Sequence, residues 1–193
     1  MTPRDLVGLL GGDVLSVAPR LLGCRLATAF DGDPTEIVIT EVEAYGGGSD
    51  PASHAYRGRT PRNTPMYEAA GSLYVYRSYG IHWCANVVTG PKGEASAVLI
   101  RGGHPVVGIE RMRDRRGKVD HLTDGPGKVC AALGITGDDD SSSLIDGPVR
   151  LIVGDPPGLF TVETTPRIGI SQAVDRPWRF VARPSDGSSL AST

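Results

Sequence analysis

No apolar run in the 193-residue chain approaches the roughly 20 residues a membrane-spanning helix needs. The opening MTPRDLVGLLGG also lacks the basic start and cleavage site of a signal peptide. Membrane and secreted classes are therefore not expected, and a cytoplasmic protein is (nucleoid-associated in a bacterium, nuclear in a eukaryote). Cysteine is scarce. Cys24, Cys84 and Cys130 are odd in number and far apart, which excludes a disulfide framework or zinc ribbon and predicts reduced, buried thiols. His54, His82, His104 and His121 are equally scattered, with no HExxH or comparable pair, so spacing supports no metal site. Neither GxGxxG nor a P-loop follows a predicted strand, and no cofactor is expected. Bulk positive charge is missing too. With 20 basic against 22 acidic residues the chain carries −2, not the balance of a protein that holds nucleic acid by net charge alone.

What the chain does have is glycine (26) and proline (15), together about a fifth of all residues. That share predicts many short elements joined by tight turns rather than a helical bundle. Charge is also segregated. Arg57, Arg59 and Arg62 fall together with no acid between them, Arg111 to Lys118 form a second basic cluster, and Asp138 to Asp140 an acidic one. The second basic cluster equally suits a helix C-terminus. All six tyrosines lie between Tyr45 and Tyr79, interleaved with those first arginines and followed by Trp83. Rings offer faces on which bases stack and guanidinium groups pair with phosphates, although a tyrosine-rich meander can also be purely structural.

The predicted elements are helices over 3–10, 105–116 and 124–133, with Asp124 as N-cap of the last and Gly134 as its stop. Strands are predicted over 21–29, 36–45, 72–79, 82–88, 95–101, 149–153, 159–170 and 178–183, with a long Gly, Ser and Pro-rich loop over 46–65. This order indicates an α+β fold: a single domain over 1–183 with a central antiparallel sheet, helices packed around it and a protruding β-hairpin. A polar tail over 184–193 is expected to be disordered.

Alternation in EIVITEVEAY places Ile39, Glu41, Glu43 and Tyr45 on one strand face and Val38, Thr40, Val42 and Ala44 on a core face. Two carboxylates on one face serve either acid–base work or simply a solvated strand surface. Alternation in the next three strands aligns Tyr74 with Tyr76, His82 with Cys84 and Asn86, and Ala97 with Leu99 and Arg101. If those faces converge, they enclose a carboxylate, rings, an amide and a guanidinium, a set suited to a planar heterocycle. Tyr79 sits at the tip of the hairpin beside Gly80, either as a wedge between bases or folded back on the sheet.

Several stretches together resemble the 3-methyladenine DNA glycosylases of the alkyladenine type: ITEVEAYGG at 39–47, SDPASHAYRGRTPRNTPMY at 49–67, GSLYVYRSYGIHWCANVV at 71–88, AVLIRGGHP at 97–105, LTDGPGKVCAALGI at 122–135, and RIGIS at 167–171 followed by PWRF. The resemblance implies hydrolytic excision of damaged purines (3-methyladenine, 7-methylguanine, hypoxanthine, ethenoadenine) from double-stranded DNA by a monomeric, monofunctional enzyme, the target base being flipped into a pocket. It makes Glu43 the carboxylate that activates water and Arg101 the group that helps hold it. Tyr45, His54 and Tyr76 enclose the base, Asn86 disfavours the 2-amino group of normal guanine, Leu99 forms pocket wall and Tyr79 intercalates. Arg57, Arg59 and Arg62 are candidates for the DNA backbone, and Glu41 receives no role. Ile81 and His82 stand where other members often carry a bulkier or aromatic pair. A non-catalytic nucleic-acid-binding module is the alternative, using the tyrosine–arginine surface without Glu43 and Arg101. The lysines (Lys92, Lys118, Lys128) lie outside the pocket strands, which predicts no lyase step.

Overall fold

The computed structural model describes residues 3–154 and 160–184. Its centre is an antiparallel sheet built from β1 (Arg25–Thr28), β2 (Thr35–Tyr45), β3 (Leu73–Ser78), β4 (His82–Val88), β5 (Ala97–Val107), β6 (Val149–Ile152), β7 (Phe160–Thr165) and β8 (Arg179–Pro184). The strand order is β3-β4-β5-β2-β1-β6, and β8, paired with β7, joins β2 beside β1. Helices α1 (Pro3–Leu10), α2 (Val14–Val17), α3 (Ile109–Arg116) and α4 (Pro126–Leu133) complete an α+β fold.

Period-two alternation sorts the sheet into two faces. Val42, Ala44, Leu73, Val75, Ala85, Val87, Val98 and Ile100 join the main core with Leu6, Leu9 and Leu10 of α1, Met112 of α3, and Val129 and Leu133 of α4. Their strand neighbours Glu43, Tyr74, Tyr76, Cys84, Asn86 and Leu99 face away from that core. There a small second cluster packs Tyr74 against Ala55 and Met66 of the 46–67 loop. That loop is more ordered than its composition predicts. Its Pro61–Tyr67 3-10 turn is closed by a Thr60–Asn63 capping box, and buried Asn63 also donates to the carbonyls of His54 and Gly58, both at 2.9 Å.

Several boundaries differ from expectation. The first strand runs only from Arg25, because Pro19 opens a 3-10 turn over Ala18–Leu21. The short α2 was not predicted; Asp13 caps it by accepting from the Leu15 N–H at 2.9 Å. Residues 105–107 extend β5 instead of starting α3. Pro105 breaks no ladder towards β4, which pairs with β5 only over Ala97–Leu99. The corner into α3 falls on Gly108 at φ 70°, where a Cβ would meet Pro34 O at 2.3 Å. Helix α4 starts at Pro126 with Gly125 at its N-cap position, while Asp124 pairs with His121 and Lys128. Strand β7 ends at Thr165, before Pro166; residue 159 of the predicted strand, and 185–193 of the predicted tail, lie outside the described residues.

Alternation also misplaces Val38, Ile39 and Thr40. Ile37 and Ile39 of β2 are core residues, as are Val42 and Ala44, so the parity switches between them. The ladder shows why: the β2–β5 register slips on either side of Glu41, and a bulge there involves Thr40 and Arg101. Glu41 and Glu43 therefore share the non-core face, but Ile39 does not, and Val38 is not in the core. Among the described residues no helix is long and apolar enough to cross a membrane.

Candidate active site

Directly paired residues of an antiparallel ladder point to the same face. The register pairs Tyr74 with Asn86, Asn86 with Leu99, and Leu99 with Glu43, so four strands contribute one continuous row. Tyr76 pairs with Cys84 in the adjacent row, and Tyr45 with Ala97 on the other side. Above this surface opens a cavity of about 460 Å³, within the usual range for small-molecule sites (roughly 300–1,000 Å³). Tyr45, His54, Tyr76, Asn86, Leu99 and Arg101 all line it, with Tyr79 at its hairpin end. The loop at 46–67 and the segment at 168–172 supply its other walls.

Glu43 lies behind the cavity wall and is fully buried. Its Oε2 accepts from the Tyr45 hydroxyl at 2.7 Å and its Oε1 from the Ile168 N–H at 2.8 Å, while Arg101 approaches Oε1 at 3.4 Å. Two carboxylate oxygens offer about four acceptor positions, so capacity for a water remains. Tyr45, Arg101 and Ile168, which touch Glu43, themselves line the cavity. Burial first, and Glu43's charge second, raise the Tyr45 pKa, which keeps that hydroxyl a donor. Burial opposes the Arg101 charge, but Glu43 and Glu41 outweigh it and raise its pKa.

The aromatic wall is mutually braced. His54 meets Tyr76 edge-on at 4.5 Å, its Nδ1 lies 2.9 Å from the Tyr74 hydroxyl, and Tyr74 and Tyr76 are 5.5 Å apart. Partial burial of the imidazole, with Arg62 second, lowers its pKa and favours the neutral ring. Burial likewise pushes Tyr74 up to about 12. The Asn86 amide nitrogen donates to the Tyr74 carbonyl at 2.9 Å, which fixes the orientation of the side chain.

Arg57, Arg59 and Arg62 are exposed on the loop beside the cavity; Arg59 stacks over Tyr67, and Arg62 over Tyr76 at 5.5 Å. Tyr79 is 88% exposed and adopts φ 49°, left-handed backbone unusual for a tyrosine. Two members of the other charge clusters are tied into the fold. Arg115 donates to Thr35 and the Ala132 carbonyl, and Asp140 accepts the Val75 N–H. Among the described residues no group of three or more His, Cys, Asp or Glu is placed to hold a metal ion.

Sequence reasoning missed three contributors. One is the Ile168 N–H on Glu43. The second is a fully buried ion pair of Asp50 with Arg167, whose guanidinium also donates to the Ala44 carbonyl and lies between the Tyr45 and Trp178 rings. The third is Glu41, which accepts from Arg101 and Arg179. No local pattern marks these contacts, though RIGIS contains two of the residues involved.

A sheet whose one row joins a buried carboxylate to an aromatic cavity defines an enzyme-like site for a flat ligand. The family profile described as Methylpurine-DNA glycosylase (MPG) matches residues 9–186. Proteins carrying the name "Putative 3-methyladenine DNA glycosylase" are similar over most of their length. The one from Agrobacterium fabrum is 49% identical over 170 residues, 87% of this chain and 83% of that protein. The one from Methanoculleus marisnigri is 48% identical over 178 residues, 90% of this chain and 92% of that protein. The chain belongs to the methylpurine-DNA glycosylase family, and so to the DNA glycosylases concerned with repair of alkylated bases.

Proposed function

We propose that this protein removes methylated purines from double-stranded DNA by hydrolysis, with the target nucleotide flipped into the cavity and Glu43 as general base. The observation that carries the reading is the placement of Glu43, oriented by Tyr45 and Ile168, directly behind a cavity walled by Tyr45, His54 and Tyr76. Water attacks C1′ of the sugar as its bond to the purine nitrogen breaks; the bonding electrons leave with the base, and the water's proton passes to Glu43. The carboxylate also stabilises positive charge developing on the sugar. A methylated purine is already cationic and departs neutral, so it needs no general acid.

The walls favour that charge. Aromatic faces attract a desolvated cation by about 2 kcal/mol, and a neutral His54 does not repel it. Arg101, whose charge is offset by two glutamates, helps hold the water. Asn86, its amide held by the Tyr74 carbonyl, disfavours the 2-amino group of undamaged guanine, a penalty that the labile sugar bond of cationic 7-methylguanine offsets, and Leu99, paired with Asn86 in the same row, supports the base. Tyr79 fills the gap left in the stack, and Arg57, Arg59 and Arg62 contact the backbone. Hypoxanthine and ethenoadenine fit the same slot but, as neutral leaving groups, are released more slowly. The enzyme acts as a monomer.

The test measures free base from methylated duplex DNA. Wild-type protein is expected to release 3-methyladenine and 7-methylguanine, and Glu43→Gln to be slower by at least roughly 100-fold. Unchanged release by Glu43→Gln would remove that residue from the mechanism. No release by the wild type would favour a binding module that uses only the tyrosine–arginine surface.

A further inference from the structure

Two arginines flank Glu43, and each gives its Nε to Glu41 instead. Arg179 is its direct cross-strand partner on β8, yet the Arg179 Nε donates to Glu41 at 2.6 Å while NH1 donates to Thr165 at 2.9 Å. Arg101 comes from the bulge on β5, and its Nε donates to the same Glu41 oxygen at 2.9 Å. Only its NH1 reaches Glu43, at 3.4 Å, longer than the 2.7–2.9 Å typical of a charge-assisted hydrogen bond. A guanidinium left to itself favours a two-point, fork-like pair with a carboxylate. Here Glu41 takes Nε of both guanidiniums, which rules out the side-on Nε/NH2 fork with Glu43 and leaves Arg101 one long NH1 contact to it.

We propose that Glu41 is a positioning residue: it draws the Arg101 and Arg179 guanidiniums off Glu43, so that Glu43 stays available to take a proton from water. The proposal rests on the reading of Glu43 as general base. It explains why two carboxylates lie two residues apart on one face when only one adjoins the cavity region. Glu41 carries the ion pairs, and Glu43 is left with neutral donors, the Tyr45 hydroxyl and the Ile168 N–H, and one long arginine contact. Loss of Glu41 releases two guanidiniums beside a buried carboxylate, and both re-pair with it. The charged and titratable groups around Glu43 are Tyr45 on β2, Arg101 on β5, Arg179 on β8 and Tyr76 on β3; Arg167 acts on Tyr45 and is itself neutralised by Asp50.

The test is single-turnover release of 7-methylguanine from duplex DNA across pH, alongside lesion-DNA affinity and thermal stability. Glu41→Gln keeps an acceptor oxygen and loses the charge. It is expected to slow release ten- to a hundredfold, the scale of a misplaced catalytic group, with affinity within threefold and the acid limb moved to lower pH. Adding Arg179→Ala to Glu41→Gln removes one intruding guanidinium and is expected to recover several-fold of the rate. A purely structural Glu41 predicts the reverse, a double variant no faster than the single one. That result, or a Glu41→Gln rate unchanged from wild type, overturns the proposal. If Glu41→Gln does not fold, Glu41→Asp keeps the charge but shortens the reach, and an unaltered rate there also overturns it. Glu43→Gln is run in parallel. Full activity in that variant sinks the general-base reading itself, and its loss with an unaffected Glu41→Gln sinks only this one.

Discussion

The Ile168 backbone N–H donates to Oε1 of Glu43 at 2.8 Å across 125 positions of sequence. The contact depends on the residue before it, because the Arg167 guanidinium is buried against both oxygens of Asp50 and clasped by the Tyr45 and Trp178 rings. Removing one partner of a buried pair strands the other charge and costs about 3–5 kcal/mol. Asp50→Asn is expected to lose stability on that scale and to slow base release as the segment loosens.

The same pair carries a pH signature. Burial alone would raise the Asp50 pKa, but Arg167 outweighs it and holds the carboxyl below its usual value. The unfolded carboxyl titrates near about 3.9, so the ionic contribution is complete above roughly pH 4 and fades as pH falls through the depressed folded value. Denaturant melts of wild type and Asp50→Asn are therefore expected to differ most at neutral pH and to converge in acid. A gap that stays constant down to pH 2 would exclude an ionic origin.

Tyr45→Phe separates the hydroxyl from the ring. Hydrogen bonds to charged groups contribute about 1.5–3 kcal/mol, and the lost donor leaves Glu43 held only through Oε1, by Ile168 and Arg101. Single-turnover release is expected to fall roughly tenfold while affinity for lesion DNA stays within threefold, since the stacking face survives. A matching loss of affinity would show that the ring, not the hydroxyl, had been disturbed.

The aromatic cavity was legible because β3, β4 and the start of β5 alternate without interruption; Tyr74, Tyr76, Asn86, Leu99 and Arg101 can be sorted by parity alone. Parity fails one strand over, at Ile39, because a bulge leaves no trace in a run of β-branched residues. The extension of β5 through Pro105 was hidden for a related reason: proline argues against a strand only where a neighbour needs its N–H. Contacts made by Asp50 with Arg167 and by Glu41 with Arg179 join residues more than 100 positions apart. Charged residues of this kind look like ordinary surface positions until the chain closes around them.

Strand cleavage is not expected, given where the lysines lie. None of Lys92, Lys118 and Lys128 lines the cavity, and Lys128 is tied to Asp124 at 2.8 Å. A lyase step needs an amine to form a Schiff base with the sugar. Abasic product is expected to remain intact until alkali is added, and borohydride to trap no protein–DNA adduct. A trapped adduct would place an amine in the reaction and reopen the assignment.

Tyr79 offers a test in which stability and function move apart. At φ 49° its backbone lies in the left-handed region, where a non-glycine residue costs roughly 1–2 kcal/mol, and its ring is almost wholly in solvent. No folding advantage accounts for a tyrosine here. Tyr79→Gly relieves the strain at the expense of a more flexible unfolded chain, so the melting temperature is expected to hold or rise slightly. Capture of the flipped nucleotide is expected to weaken by roughly tenfold, the value of about 1–3 kcal/mol for one base stacked on an aromatic ring. The chemical step, measured once the base is bound, should be preserved because the variant leaves Glu43 and its partners untouched. Equal lesion affinity in wild type and Tyr79→Gly would remove the ring from DNA recognition.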